Sequence, residues 1–129
     1  MRKAIVCVDD EAILLMGMKA VLEWAFGERF IYRTVCNALE VSGLLEGLQE
    51  KGIEIALLVT DLNMPDMRGD VLLEKIWEQN FRIPAIVVTG EADLYQTKLL
   101  VKKGIVKAVI KKPWKNMDFI STLRLFLEE

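Results

Sequence analysis

The sequence predicts an α/β fold: five short strands alternating with five helices, forming a doubly wound five-stranded parallel sheet with helices on both faces. Two observations carry this. Short apolar runs recur along the chain with helix-period segments between them. Three of the runs are continuous rather than alternating, as in strands covered on both faces. That architecture also accounts for an apolar share of 53% in a chain whose runs all fall short of the ~18 residues a membrane span needs. The 129 residues fit one domain, which can bury a core without disulfides or structural metals.

Element by element, Ala4–Val8 is a buried strand that runs straight into Asp9-Asp10-Glu11. Ile13–Phe26 has apolar residues at 14, 15, 18, 21, 22 and 25, one face of a helix. Phe30–Cys36 alternates weakly and reads as a more exposed strand. Asn37 can cap the next helix, Ala38–Lys51, which stops at Gly52. Ile55–Thr60 is a second buried strand, ending at Asp61. A loop with Pro65 and Gly69 leads to a helix over Asp70–Asn80, with Val71, Leu72, Leu73, Ile76 and Trp77 on its inner side. Pro84 opens the strand Ala85–Thr89, and Asp93 caps a helix ending near Lys103-Gly104. Ala108–Ile110 is the fifth strand, closed by Lys111-Lys112-Pro113, and Met117–Leu127 the last helix.

Several function classes fall away on composition. There is no histidine, which removes Ser-His triads, imidazole metal ligands and a phosphohistidine carrier role. The net charge of −2 and the lack of a G-x-x-x-x-G-K loop give no support for direct nucleic-acid binding. Ala4–Val8 is too short for a signal-peptide core and runs into acids, so secretion is not expected, and no apolar run is long enough to imply a membrane role. Cys7 and Cys36 stand singly in apolar stretches and read as buried free thiols in a reducing cytoplasm.

In an open parallel sheet, ligands bind outside the carboxyl ends of the strands. Here those ends carry Asp9 and Asp10, Asp61, Thr89 and Lys112. Any one of them reads as a cap or a solvated charge, but their convergence on one rim does not. Three clustered carboxylates repel unless a cation sits among them. Oxygen donors without His or Cys suit Mg²⁺, which prefers to share its shell with phosphate. A hydroxyl and an ammonium opposite can take the other phosphoryl oxygens. A carboxylate can itself be the nucleophile and form an aspartyl phosphate.

The segments IVCVDDE, LLVTDLNMPDMRGD, AIVVTGEA and AVIKKPW resemble the receiver domains of two-component response regulators, in particular single-domain chemotaxis regulators. The resemblance spans essentially all of residues 1–129. It implies a flavodoxin-like sheet of order 2-1-3-4-5. It implies that Asp61 accepts a phosphoryl group, that Asp10 and Asp61 bind Mg²⁺ directly, Asp9 through water, and Asn63 through its backbone carbonyl. Thr89 matches the switch hydroxyl and Lys112 the phosphoryl-binding ammonium, with a cis bond to Pro113. Lys111, one residue back, faces the other side of its strand. Pro65 and Gly69 match the turn of the acceptor loop. Asn63 and Glu91 match positions that tune dephosphorylation by orienting a water. Val109 replaces the aromatic residue usual at that position, so the Thr89–Asp93 loop, with Gly90 as its pliable point, is expected to carry the switch.

The implied donor is a sensor histidine kinase or phosphotransfer protein, and the implied output partner docks around residues 93–115. That segment is lysine-rich: residues 98–115 hold seven lysines and no acid, so an acidic partner is expected. A homodimer is a further partner the reading admits. Two alternatives remain open here: an aspartate-nucleophile phosphohydrolase of haloacid-dehalogenase type, and a related interaction module that is never phosphorylated. The first needs a second aspartate two residues after its nucleophile, where this chain has Asn63. The second usually loses part of the acid set, which is complete here.

Overall fold

The structure is a computed structural model and describes residues 2–90 and 94–127. In chain order the elements are β1 (Lys3–Val8), α1 (Ala12–Phe26), β2 (Ile31–Val35), α2 (Val41–Glu50), β3 (Glu54–Asp61), α3 (Gly69–Glu78), β4 (Ala85–Thr89), α4 (Leu94–Lys102), β5 (Val106–Lys111) and α5 (Asn116–Leu127). The strands form one sheet in the order β2-β1-β3-β4-β5. Every pairing in it is parallel. This is the flavodoxin-like doubly wound arrangement expected from the sequence.

The period of two along each strand sorts the core into two layers. Ile5 and Cys7 of β1, Leu57 and Val59 of β3, and Ile86 and Val88 of β4 pack with Leu15 and Leu22 of α1 and Phe119 and Leu123 of α5. Val6 and Val8, Leu58, and Val87 face the opposite way, onto Leu45 of α2, Leu72 and Ile76 of α3, and Leu100 of α4. Each fully buried leucine contributes roughly 1.5–3 kcal/mol of transfer free energy. The central strands are thus buried on both sides and read as unbroken apolar runs.

The edges differ. In β2, Arg33 and Thr34 are exposed, and in β5 Lys107 and Lys111 are. Lysine on an edge strand discourages pairing with another chain. The same edge character hid the start of β5, which begins at Val106 rather than Ala108, because exposed Lys107 interrupts the apolar run. Gly52 and Gly104, which follow α2 and α4, have φ of 74° and 82°. This left-handed region is cheap only for glycine, so both helices stop there.

Three further expectations are corrected. Asn37 caps a 3-10 turn over Ala38–Glu40, not α2 itself, its side chain accepting from Glu40 N at 3.1 Å; α2 begins only at Val41. Val71 is 51% exposed, because the inner arc of α3 is filled by Leu72, Leu73 and Ile76. Trp77, half-buried, packs against the core on the inner side of α3 as expected. Cys7 is buried but Cys36 is exposed, since it lies one residue past the end of the edge strand β2. The expected cap Asp93 and the expected tuning residue Glu91 lie outside the described residues. Among the described residues, no helix is long and apolar enough to cross a membrane.

Candidate functional site

The carboxyl ends of the three central strands build the site. Val8, the last residue of β1, stands opposite Thr60 of β3. The next residue on each strand is therefore an aspartate, Asp9 beside Asp61. Oxygens of Asp9, Asp10 and Asp61 lie within 4.8 Å of one another. Asp9 and Asp61 are buried, while Asp10 is exposed. From the far end of β5, the Lys112 ammonium donates to Asp61 Oδ2 at 3.1 Å and to Asp9 Oδ2 at 3.2 Å. Lys111 is exposed. The Lys112–Pro113 peptide bond is cis.

The remaining oxygens are held by the backbone. Asp9 Oδ1 accepts from Glu11 N at 2.9 Å, and Asp61 Oδ1 from Asn63 N at 3.2 Å. Thr89, the last residue of β4, is fully buried, and its carbonyl accepts from Lys112 N at 2.8 Å. Since Asp61 pairs with Val88, Thr89 lies one step further along the rim.

Gly69 explains why the loop after Asp61 can close so tightly. Its N–H donates to Leu62 O at 2.8 Å. A Cβ there would come within 2.8 Å of Leu62 Cα and closer still to the Asp61 carbonyl oxygen. Only glycine brings the start of α3 onto the acid-bearing end of β3.

Charge dominates the energetics. Two carboxylates about 4 Å apart repel by roughly 4 kcal/mol at an effective dielectric of 20. Burial pushes the Asp9 carboxyl above its ordinary value and Asp61 adds to this, against the Glu11 amide and Lys112, which pull it down. Burial acts against the Lys112 ammonium too. There, the hydrogen bond to Asp61 and the charges of Asp9 and Asp61 outweigh it, and the group is held above its usual range. An all-oxygen donor set of this charge fits Mg²⁺, and no softer ligand stands among it.

A groove of about 800 Å³ adjoins the cluster, lined by Leu14 and Gly17 of α1, Trp114 and Phe119, and also by Glu11 and Lys112. Trp114 stacks on Phe119 with ring centroids 5.4 Å apart. Val109 is half-buried opposite Val87 and packs on the core layer beneath α2, α3 and α4. Lys98, Lys102, Lys107 and Lys115 are exposed, whereas Lys103 bridges Glu74 at 3.2 Å.

Sequence reasoning missed Asp66, whose Oδ2 accepts from Leu39 N at 3.1 Å across 27 residues of chain. The only local signal was an acid after Pro65 in a turn, which points to no partner.

A family model described as "Response regulator receiver domain" matches residues 5–124. The uncharacterized transcriptional regulatory protein YesN of Bacillus subtilis is 30% identical over 125 residues, 97% of this chain and 32% of that protein. The transcriptional regulatory protein FixJ of Rhizobium meliloti is 39% identical over 67 residues, 52% of this chain and 32% of that protein. The chain thus matches about a third of the length of each. A CheY-like receiver domain protein from Methanospirillum hungatei superposes with a TM-score of 0.83 at 27% identity, over 99% of this chain and 95% of that one. The crystal structure of FixJ-N gives 0.76 at 26% identity, over 100% of this chain and 97% of that one. With the acid cluster at the ends of its central strands and a family match across nearly its whole length, this chain belongs to the response regulator receiver family, the signalling domains of two-component systems.

Proposed function

We propose that residues 1–129 form one receiver unit in which Asp61 accepts a phosphoryl group from a phosphohistidine of a sensor kinase or phosphotransfer protein. The observation that carries this is the contact of the Lys112 ammonium with the buried Asp61 at 3.1 Å, inside a carboxylate cluster at the ends of parallel strands. An Asp61 carboxylate oxygen attacks phosphorus. The P–N bond breaks, its electron pair goes to the imidazole, which takes a proton, and an acyl phosphate forms. Asp10 and Asp61, with Asp9 through water and the Asn63 carbonyl, would hold Mg²⁺, and that ion would offset the negative charge of the phosphoryl oxygens. Lys112 and the Thr89 hydroxyl bind two of those oxygens.

Movement of Thr89 toward the phosphoryl group draws Gly90 with it, and the signal passes to α4 without an aromatic at 109. Asn63 sets the lifetime of the acyl phosphate together with Glu91. The groove beside Lys112 gives the donor protein an apolar foothold next to Asp61. The lysine-bearing surface of α4 and β5 receives an acidic output partner, or a second copy in a homodimer. The unit works in the cytoplasm, off the membrane, and does not contact nucleic acid directly. The exposed amide of Asn63 stands where the phosphohydrolase reading needs a carboxyl acid, so turnover of phosphate esters is not expected. Mass spectrometry after treatment with acetyl phosphate and Mg²⁺ tests the reading. One added phosphate that Asp61→Asn abolishes is expected; modification persisting at a normal rate in that variant overturns the assignment.

A further inference from the structure

The loop after Asp61 is held from within and from outside. Within, Gly69 N donates to Leu62 O at 2.8 Å and Asn63 N to Asp61 Oδ1 at 3.2 Å. Outside, Asp66 reaches the 3-10 turn that follows β2. Leu39 N donates to its Oδ2 at 3.1 Å. The first amides of such a turn have no partner inside it. Asn37 satisfies the Glu40 amide locally, and Asp66 satisfies the Leu39 amide before it from a different loop. The turn continues from β2, whose last carbonyl, Val35 O, accepts from Asp9 N at 3.2 Å. The contacts form a circuit: Asp61, its loop, Asp66, the turn, the end of β2, Asp9, and back to Asp61 through Lys112.

We propose that Asp66 is a positioning residue for the carboxylate cluster, fixing the Asn63 backbone and the Asp61 carboxylate by tying loop 62–68 to the turn at 38–40. The proposal rests on the reading of the cluster as the Mg²⁺ and phosphoryl site. Its physical basis is the loop's sparse anchoring. Asn63, Pro65, Asp66 and Arg68 are exposed, Met67 is half-buried, and Leu62 and Met64 are buried near the start. Without the Asp66 tie, the second half of the loop has little apolar surface to hold it. Groups that orient metal ligands without touching the metal change affinity or activity about 10–100-fold when removed.

The test uses the full chain with Asp66→Ala and Asp66→Asn. Three quantities are measured: amide exchange of Leu39 and residues 62–68 in metal-free protein, the Mg²⁺ dissociation constant, and the initial rate of phosphorylation by acetyl phosphate at saturating Mg²⁺. In Asp66→Ala, Leu39 loses protection, Mg²⁺ binds about tenfold more weakly and phosphorylation slows by a similar factor. Asp66→Asn keeps an acceptor oxygen and recovers most of each. A lower melting temperature with an unchanged Mg²⁺ constant makes Asp66 a structural cap only and overturns the proposal. If the alanine chain does not fold, Asp66→Glu, whose oxygens sit one methylene further out, carries the same test. A weakened Mg²⁺ constant supports the proposal and an unchanged one overturns it. Wild-type protein with neither Mg²⁺ affinity nor an aspartyl phosphate overturns the underlying reading and this proposal together. Wild-type protein that has both, equalled by Asp66→Ala, overturns this proposal alone.

Discussion

The two ends of the sheet each carry a lysine–carboxylate pair, and the pairs behave differently. At the amino end, Lys3 lies 3.7 Å from Glu54, with side chains 48% and 51% exposed. At the carboxyl end, Lys112 lies 3.1 Å from Asp61 and 3.2 Å from Asp9, with side chains 25%, 6% and 0% exposed. Exposed pairs like the first contribute between nothing and about 1 kcal/mol, because water competes for both partners. In the second, one ammonium faces two buried carboxylates and leaves a local excess of negative charge. A fold would not gather such charge for stability, since burying ions costs more than well-packed apolar groups would. The asymmetry locates function: the amino end closes the sheet, and the carboxyl end stores an electrostatic debt that a cation and a phosphoryl group can relieve.

Four measurements break or sharpen that contrast. The largest effect is expected from Lys112→Met, which should slow phosphorylation of Asp61 by about 10²–10³, the usual effect of losing one donor to a developing oxyanion. Lys3→Met should leave the rate unchanged, and equal rates in the two variants would erase the distinction. Next, Gly69→Ala forces a Cβ onto the Asp61–Leu62 backbone and should destabilise the fold by about 1–3 kcal/mol in urea unfolding. Gly47, which has open space around its Cβ position in the middle of α2, should instead tolerate alanine with a small gain.

A third effect appears in alkali. Burial pushes the Cys7 thiol up to about 12, so the folded chain keeps a proton that the unfolded chain loses from pH 9 upward. The raised Lys112 and Tyr32 act in the same direction at higher pH. Stability should therefore fall above pH 9, with Cys7 contributing up to about 1.4 kcal/mol per pH unit. Cys7→Ala should flatten that slope in pH-dependent melting, and an unchanged slope would deny Cys7 the role. The smallest effect belongs to the amino end: Glu54→Ala should shift unfolding free energy by no more than about 0.5 kcal/mol.

Legibility in the sequence followed the same division between local and distant causes. β4 was placed to the residue, because Pro84 marks its start and all five residues are buried. β1 and β3 stood out for the same reason: strands covered on both faces have no alternation to confuse. The acids were visible because each directly follows such a run. The edge strand β5 reads short in the sequence because its exposure changes along its length. The short helical turn before α2 reads as part of that helix, since the two share apolar spacing and differ only in backbone pitch. Cys36 misled because composition alone cannot say where an edge strand ends. Asp66 was invisible because its partner, Leu39, is set by tertiary folding rather than by neighbours in the chain.

The two thiols also give this protein a natural handle for spectroscopy. Cys7 is sealed in the core with its proton held tightly, so alkylating reagents at neutral pH should pass it by. Cys36 is exposed and stands next to Asn37, at the start of the turn that Asp66 caps. A maleimide dye should therefore attach to the unaltered chain at one position. That position would report, in fluorescence rather than in turnover, whether events at Asp61 reach the far side of the rim.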